Sequence, residues 1–329
     1  MAFQGKEIRY NTAQLECGLS ELVDSGVTRL FVNDSLLTGT KKKFLSFLNL
    51  ALCDAPNIFY VFHLEEFQVI DKEICALLSK LSCSVQIALD FSTDRKLFAR
   101  RVELLNRCSL VFGIEMEVVA QKNDTIKLFR ERLDFVVSCY PNHIDFPGLD
   151  FSNPSLPTAC YSGKDIDIAS ECAFACSVFY SAGRAVPWFL SVLKPLRIPP
   201  SKFFSDFSEW LLCNNCSLST GFDPFSVPHE EIEKMQLLFL QIKYEEKNML
   251  HVFPVARELV RLHGAFSRLV GEGQECVLEL EFNPDDLCSP YAQDVEIFCE
   301  NVCLEHCSVK IFLSHDSDGL EFPDYRIIK

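Results

Sequence analysis

Side chains that can carry acid–base chemistry recur in this sequence where short β-rich runs end. The groups concerned are His63, Glu65, Asp90, Glu115, Glu117, His143 and Asp145. Converging carboxylates repel one another, so a site of this kind binds a cation, shifts its pKa values or forms internal ion pairs. We therefore expect these seven side chains to line a shared pocket.

The elements that must position these groups alternate between two faces. In "CSVQIALD", the apolar residues Val85 and Ile87 share one face, whereas Gln86 and Asp90 share the other. A parallel sheet covered by helices on both sides is apolar on both faces. A face that becomes polar toward the carboxyl end of each strand is instead typical of the lumen of a (βα) barrel. The alternative is an antiparallel sheet edge with one face exposed to solvent. The helical patterns between consecutive runs disfavour it.

The first half of the chain repeats a strand and a helix. Five runs ("VTRLFVN", "IFYVFHL", "CSVQIALD", "LVFGIEMEV" and "NHIDF") begin about 25 to 32 residues apart, which is the length of a strand, a crossover helix and two loops. Helical patterns separate the runs, and Asp71 and Asp124 are typical of helix starts. Pro141 ends the last of these helices. The repeat predicts an α/β fold, a partial (βα) TIM-like barrel with parallel strands.

The second half predicts a helical region and then a small C-terminal α/β unit. "GLDFSNPSLPT" is a linker-like segment, and helical patterns follow at 166–193, 201–213, 229–249 and 253–270. At the end, "CVLELEF" and "VKIFLS" are strand patterns, "YAQDVEIFCENVCLEHC" is a helical pattern, and "LEF…YRII" indicates one more strand. The predicted domains are thus 1–150, 151–271 and 272–329.

Composition limits the classes of partner and the compartment. The 46 acidic and 31 basic residues give a formal charge of −15, which disfavours nucleic acid and anionic membranes as partners. The first residues, "MAFQGKEIRYN", lack the apolar core of a signal peptide. The apolar stretch 173–193 is interrupted by Arg184 and Pro187, so we expect a buried helix there and not a membrane span. We expect a cytoplasmic protein whose 16 cysteines are reduced.

Several segments together resemble a known family. "VTRLFVNDSLLTG", "FYVFHLE", "SVQIALDFST", "RRVELLNRCSLVFGI" and "DTIKLFRERLDFVVSCYPNHIDF" occur in the order and spacing of the barrel of radical SAM enzymes. They are most similar to the group that carries a cobalamin-binding domain ahead of the barrel. The resemblance covers roughly residues 5–147 and rests on many segments in register, without one diagnostic motif.

The resemblance implies cofactor-binding positions. Asn33, Asp34 and Ser35 stand where the family's second strand meets the methionyl end of S-adenosylmethionine. Gln86 and Asp90 lie in a segment that resembles another cofactor-contacting segment of the family. That segment departs from the family pattern, with Ala88, Asp90 and Phe91 replacing Gly and Gln-Ser. The turn after the fourth strand, "VVAQKNDT", also lacks the family's glycines, which would let the backbone approach a ligand.

The family's cluster motif is the largest departure. The family holds a 4Fe–4S cluster with C-x-x-x-C-x-x-C, because three thiolates leave the fourth iron open for the cofactor. "GKEIRYNTAQLECGLSELVDSGV" resembles the segment that directly follows that loop, so Met1 stands about where the motif would end. The resemblance implies a 4Fe–4S cluster and cobalamin only if a missing upstream part or a separate partner protein supplies them.

The remaining cysteines suggest packing and no metal site. "CAFAC" contains Cys172 and Cys176, the first half of the motif, but Phe179 occupies the third position. "CNNC", Cys213 and Cys216, lacks the second pair that a zinc ribbon needs. We expect Cys172 and Cys176 to be buried packing residues and Cys213 and Cys216 to be structural, and we assign no metal ligands. Catalytic residues are not assigned.

Three functions follow from these patterns. The first is a degenerate or truncated radical-SAM-like protein that acts as a binding or interaction module, with a small molecule such as S-adenosylmethionine in the barrel mouth. The second is a subunit or fragment of an active cobalamin-dependent-type radical SAM enzyme, whose cluster and cobalamin parts lie upstream or on another chain. The third is a barrel metalloenzyme that uses His63, His143 and nearby carboxylates.

Overall fold

The computed structural model describes residues 15–149, 156–315 and 321–328. The first 14 residues lie outside this range. They include the segment in which we expected no signal peptide and part of the segment that resembles the sequence after the cluster loop. Residues 150–155 of the predicted linker also lie outside it. The chain forms two compact units, Met1–Met116 and Glu117–Lys329. The domain boundaries at 150 and 271 stay predictions. In the described segments, no helix has both the length and the apolar character of a membrane span.

The first unit alternates helices and strands. Its elements are α1 (Leu15–Asp24), β1 (Arg29–Val32), α2 (Ser35–Thr38), α3 (Lys41–Asp54), β2 (Phe59–Leu64), α4 (Lys72–Leu78), β3 (Cys83–Ala88), α5 (Arg95–Arg107) and β4 (Val111–Glu115). The Asp71 carboxylate accepts the amides of Glu73 and Ile74 at the start of α4. These amides have no carbonyl partner inside the helix. The predicted helix start at Asp71 is confirmed.

The strands of the first unit form a parallel sheet in the order of the sequence. β1 pairs with β2, β2 with β3 and β3 with β4, and all three pairs are parallel. Each new strand is added beside the previous one, as in a (βα) barrel, whereas a doubly wound sheet reverses its strand order. The predicted α/β class with a partial (βα) barrel is confirmed.

One face of this sheet is buried beneath helices, and the other is half-open. Tyr60 and Phe62 of β2 are fully buried, and Phe44 and Phe47 of α3 pack edge-on against Phe62 and Tyr60 with ring centroids 5.3 Å and 6.2 Å apart. Burying such a ring stabilises the fold by roughly 2–3 kcal/mol. His63, between Phe62 and Leu64 in sequence, lies on the opposite face and is only half-buried. The alternation predicted from the sequence is therefore present.

The second unit is mainly helical. Its elements are α6 (Ile126–Ser138), β5 (His143–Asp145), α7 (Gly163–Cys176), a π-helix (Ser177–Ala182), α8 (Phe189–Leu193), α9 (Pro200–Cys213), α10 (His229–Glu246), α11 (Phe253–Glu272), β6 (Cys276–Leu280), α12 (Pro284–Leu287), α13 (Val295–Asn301), β7 (Cys307–His315) and β8 (Glu321–Ile327). The helical region and the small C-terminal α/β unit are both present, as predicted.

A cluster of aromatic rings around Phe179 forms the core of the helical region. The ring centroid of Phe179 lies 4.8 to 6.4 Å from those of Trp188, Phe189, Phe203, Phe204 and Phe207. Phe179 lies in the π-helix, and its carbonyl accepts a 2.7 Å hydrogen bond from Gln236 Nε2. Gly183 and Arg184, the latter with φ of 48°, turn the chain after the π-helix. The predicted helix 166–193 is thus interrupted.

A side chain from the π-helix covers one side of β5. The Ser181 hydroxyl accepts the Ile144 amide at 3.0 Å and donates to the Ile144 carbonyl at 3.2 Å. Both backbone groups of a strand residue point to the same side of the strand. Ser181 therefore occupies the place that a neighbouring strand would take at Ile144.

The C-terminal strands form an antiparallel sheet in the order β6-β7-β8. The helix predicted over 291–307 is shorter than its pattern, because α13 covers only Val295–Asn301 and β7 begins at Cys307. Asp294 starts α13 by accepting the amides of Glu296 and Ile297. The strands predicted from "CVLELEF" and "VKIFLS" are confirmed as β6 and β7, and the last predicted strand is confirmed as β8.

Candidate functional site

The carboxyl edge of the sheet in the first unit brings two of the predicted side chains together. His63 Nε2, from β2, lies 3.1 Å from Glu115 Oε2, from β4. Strand β3 lies between them, so their backbones are about 9–10 Å apart. Ala88 of β3 is in register with Glu115, and its methyl group leaves room for the two side chains to meet above it.

The environment of His63 favours its protonated form. The hydrogen bond with Glu115 raises the pKa of His63, burial lowers it, and the charges of Glu115 and Glu65 raise it further, so that the pKa lies above the ordinary value. The two side chains are 33% and 31% exposed. Water therefore reaches the pair and screens the interaction between the two charges. A histidine with a raised pKa beside a carboxylate can exchange a proton with a ligand.

Two acids flank this pair along the chain. Glu65 directly follows β2 and is exposed, and Asp90 lies two residues beyond β3 and is also exposed. The Asp90 carbonyl accepts the Thr93 amide in the turn before α5. Carboxyl ends of parallel strands lie at one edge of a sheet. With Glu115, the two acids give this edge a negative character that suits a cationic ligand.

The three residues that follow β1 have mainly a local structural role. Asp34 Oδ1 accepts the Leu36 amide at 2.8 Å and so begins α2, of which Ser35 is the first residue. Asn33, Asp34 and Ser35 are all exposed. One oxygen of the Asp34 carboxylate is thus engaged in the helix start. Cofactor contact by these residues stays a prediction.

Gln86 lies on the half-open face of the sheet in the middle of β3. It is in register with His63 on one side and with Gly113 on the other. The side chain is half-buried. Its position beside His63 agrees with the predicted polar face, whereas its contact with a cofactor stays a prediction.

The other three predicted residues belong to the second unit. His143 Nε2 and Asp145 Oδ2 are 3.5 Å apart on one face of β5, and Ile144 between them is buried on the other. Glu117 has an exposed side chain, and its carbonyl accepts a 3.3 Å hydrogen bond from Arg132. The predicted pairing of His143 with Asp145 on one face is present.

A buried ion pair in the second unit escaped the sequence analysis. Arg132 donates to both carboxylate oxygens of Asp124, at 2.8 Å and 2.7 Å, and the two side chains are 3% and 0% exposed. Asp124 also accepts the amides of Ala120 and Thr125. The prediction that Asp124 begins α6 is wrong, because Thr125 accepts the Leu128 amide there.

This ion pair fixes the loop between β4 and α6. Asp124 holds the loop backbone at Ala120, and Arg132 holds it at the Glu117 carbonyl. The sequence contains only a weak signal for the Asp124–Arg132 ion pair. An acid before a helix usually forms the helix cap, and its partner eight residues later lies beyond the spacing at which helix neighbours interact.

The described thiols do not fit a 4Fe–4S cluster. Cys172 and Cys176 are buried within α7, and burial raises the pKa of Cys172 to about 12, whereas cluster ligands are thiolates. Cys213 is exposed and Cys216 is half-buried. Within residues 15–149, 156–315 and 321–328, no group of three or more His, Cys, Asp and Glu side chains has the geometry to hold a metal ion.

The fold and this edge define an α/β protein built on a partial (βα) barrel. Among solved structures, the chain is similar to the radical S-adenosylmethionine methyltransferase TsrM from Kitasatospora setae, solved with cobalamin and a 4Fe–4S cluster bound. The match has a TM-score of 0.36 at 16% identity and covers 50% of this chain and 35% of that chain. The chain thus matches about a third of the neighbour's length.

The likeness to that methyltransferase is too weak to support a cofactor or a reaction for this chain. Neither the protein-family models nor the curated proteins give a match to the sequence.

Proposed function

We propose that this chain is a radical-SAM-like barrel module that binds a small cationic ligand at the carboxyl edge of β2, β3 and β4. The resemblance stated above suggests S-adenosylmethionine, which carries a sulfonium and an ammonium group. The module binds its ligand without making an adenosyl radical from its described thiols. Its role is that of a binding or interaction module.

The His63–Glu115 pair is the observation that carries this proposal. The pair joins two strands across a third on a rigid sheet, so its position does not depend on a loop. Glu65 and Asp90 follow two of these strands with exposed carboxylates. Three carboxylates and one imidazole leave this edge with a net negative charge, which attracts a cation more strongly than it attracts a neutral molecule.

The test is a titration of the protein with S-adenosylmethionine by equilibrium dialysis. We expect saturable binding that weakens about tenfold in the double variant Glu65→Gln, Asp90→Asn, because each lost charge removes up to about 1 kcal/mol. The control is the double variant Glu21→Gln, Glu103→Gln, which makes the same charge change at exposed residues near the ends of α1 and α5 that lead into the starts of β1 and β4.

Two outcomes would contradict this proposal. Binding that weakens equally in both double variants would show a response to total charge and no local site. A wild-type protein that leaves millimolar S-adenosylmethionine unbound would remove this ligand, and the same dialysis with S-adenosylhomocysteine, which lacks the sulfonium charge, separates charge recognition from adenosine recognition.

A further inference from the structure

Strand β8 forms one edge of the antiparallel sheet in the second unit. The strand order is β6-β7-β8, so β7 lies on one side of β8, and no strand among the described residues lies on the other. The Ile328 amide, directly after β8, donates to the Ser308 carbonyl of β7 at 2.9 Å. Successive residues of a strand direct their backbone groups to opposite sides. The residues of β8 whose backbone groups point away from β7 are therefore Glu321, Pro323, Tyr325 and Ile327.

The two faces of β8 carry different side chains. Tyr325 lies on the face that packs on α11, where its ring centroid is 6.2 Å from that of Phe266. Side chains alternate between the faces along a strand. On the other face, which we call the outer face, the Arg326 guanidinium lies 5.7 Å from the centroid of the Phe312 ring of β7. The side chains of the outer face are, in order, those of Phe322, Asp324, Arg326 and Ile328.

The outer face of β8 is complementary to itself when two copies of the strand lie antiparallel. With the two Tyr325 residues opposite each other, Asp324 of one copy lies opposite Arg326 of the other. In the same register, Phe322 lies opposite Ile328. A twofold axis repeats each pair, and cross-strand pairs of both kinds stabilise a sheet. Phe322 and Ile328 are 41% and 53% exposed in the single chain, so their pairing removes apolar surface from water.

The charges of β8 also disfavour the neighbouring registers. A shift of one copy by two residues places Asp324 opposite Asp324 or, in the other direction, Arg326 opposite Arg326. Like charges that lie directly opposite each other destabilise a sheet. The same two residues therefore attract in one register and repel in the next, which gives the pairing its specificity.

We propose that β8 is a dimerisation surface, through which two copies of this chain join their three-stranded sheets into one six-stranded antiparallel sheet. In the single chain, the Tyr325 amide donates to Asp324 Oδ1 at 2.8 Å. In the dimer, this amide donates to the Tyr325 carbonyl of the other copy. The Asp324 carboxylate then accepts the Arg326 guanidinium of the other copy.

Pro323 keeps this contact weak and closed. Proline has no amide hydrogen, so the Ile327 carbonyl opposite it gains no donor, whereas the Ile327 amide donates to the Pro323 carbonyl. A proline on a sheet edge also hinders continued growth of the sheet. Because both copies use the same strand, the contact is complete after two copies have joined. We therefore expect a weak dimer and no open chain of copies through β8.

Sedimentation equilibrium of the full chain tests this proposal. An ionic strength of about 0.15 M screens the repulsion between two chains that each carry a charge of −15. We expect the mass to rise from 37.5 kDa toward twice that value as the protein concentration increases from about 1 to about 500 µM, because a small interface gives a weak dimer.

Two charge reversals test the assigned register. Asp324→Arg and Arg326→Asp should each weaken the self-association of the chain by at least about tenfold, since each places like charges opposite one another on both sides of the twofold axis. An equimolar mixture of the two variants should dimerise again, because every acid then lies opposite a base. Circular dichroism checks that each variant folds.

The matched control is Glu279→Arg, which makes the same charge change as Asp324→Arg. Glu279 is exposed on β6, at the other edge of the same sheet. This control variant should dimerise like the wild type.

Three outcomes would contradict the proposal. A wild-type chain that stays monomeric over the whole concentration range does not dimerise. If both charge reversals associate as strongly as the wild type, then the contact lies on another surface. If the mixture of the two folded variants stays monomeric, then Asp324 and Arg326 do not face each other. Binding of S-adenosylmethionine does not enter these measurements, so their outcome is independent of the proposed function.

Discussion

His63 shows how far a single residue could be predicted. Its strand, its face and its polar neighbours followed from the alternation in "IFYVFHL", because a half-buried strand has a period of two. Its partner did not follow. Contact with Glu115 depends on the register of β2, β3 and β4 and on the small Ala88 between the two side chains, and no local pattern encodes that register.

The His63–Glu115 pair predicts a pH-dependent stability. Because the pKa of His63 is raised in the folded state, its contribution is present in full below about pH 6.5, the unfolded value, and is lost as the pH rises through the folded pKa. Glu115→Gln should lower the free energy of unfolding by about 0.5 kcal/mol at pH 5.5 and hardly at all at pH 9, since water screens the pair. Urea unfolding at both pH values measures this difference.

The control for this prediction is Glu103→Gln, because Glu103 pairs with Arg107 on the surface of α5 and arginine keeps its charge over this range. The loss in the free energy of unfolding caused by Glu103→Gln should be the same at both pH values. An NMR titration in which the His63 pKa is equal in the wild type and in Glu115→Gln would contradict the assigned cause of the shift.

At the scale of elements, strands and helices were predicted more reliably than their ends and interruptions. β3 followed from its period of two, and α4 followed from its helical pattern and from the start signal at Asp71. The π-helix did not, because Gln236 from a distant helix donates to the carbonyl of Phe179 within it and to that of Gly183 just after it. Tertiary partners of this kind have no trace in the local sequence.

The buried Asp124–Arg132 pair predicts a large effect of a single substitution. Arg132→Met leaves the Asp124 carboxylate buried without its partner, so we expect a loss of about 3–5 kcal/mol in the free energy of unfolding. The double variant Asp124→Asn, Arg132→Met should lose less, because no uncompensated charge remains. Urea denaturation followed by circular dichroism measures both.

Arg130→Met is the matched control for the buried pair, since Arg130 is exposed on the same helix, and it should change stability by less than about 0.5 kcal/mol. If the double variant is less stable than Arg132→Met alone, then desolvation of the Asp124 charge is not the main cost. The hydrogen bonds to Ala120 and Thr125 would then dominate.

At the scale of the whole molecule, composition predicts behaviour in solution. The chain carries a formal charge of −15 at pH 7 and has a sequence pI of about 4.9. Mutual repulsion between copies disappears near the pI, so solubility should fall to a minimum there. Light scattering of the protein at pH 7 and near pH 4.9 measures the change, and equal scattering at both would show that net charge does not limit its association.

The Ser181 hydroxyl has a consequence for how this chain behaves at high concentration. The unpaired edge of a strand can pair with a strand of another molecule, and repeated pairing of this kind leads to fibrils. At Ile144 this pairing is blocked by the Ser181 Oγ atom, which hydrogen-bonds both the amide and the carbonyl of the strand. A further strand therefore finds no free backbone group at this residue. A single small polar residue thus protects a chain rich in β-forming segments from polymerising at this position.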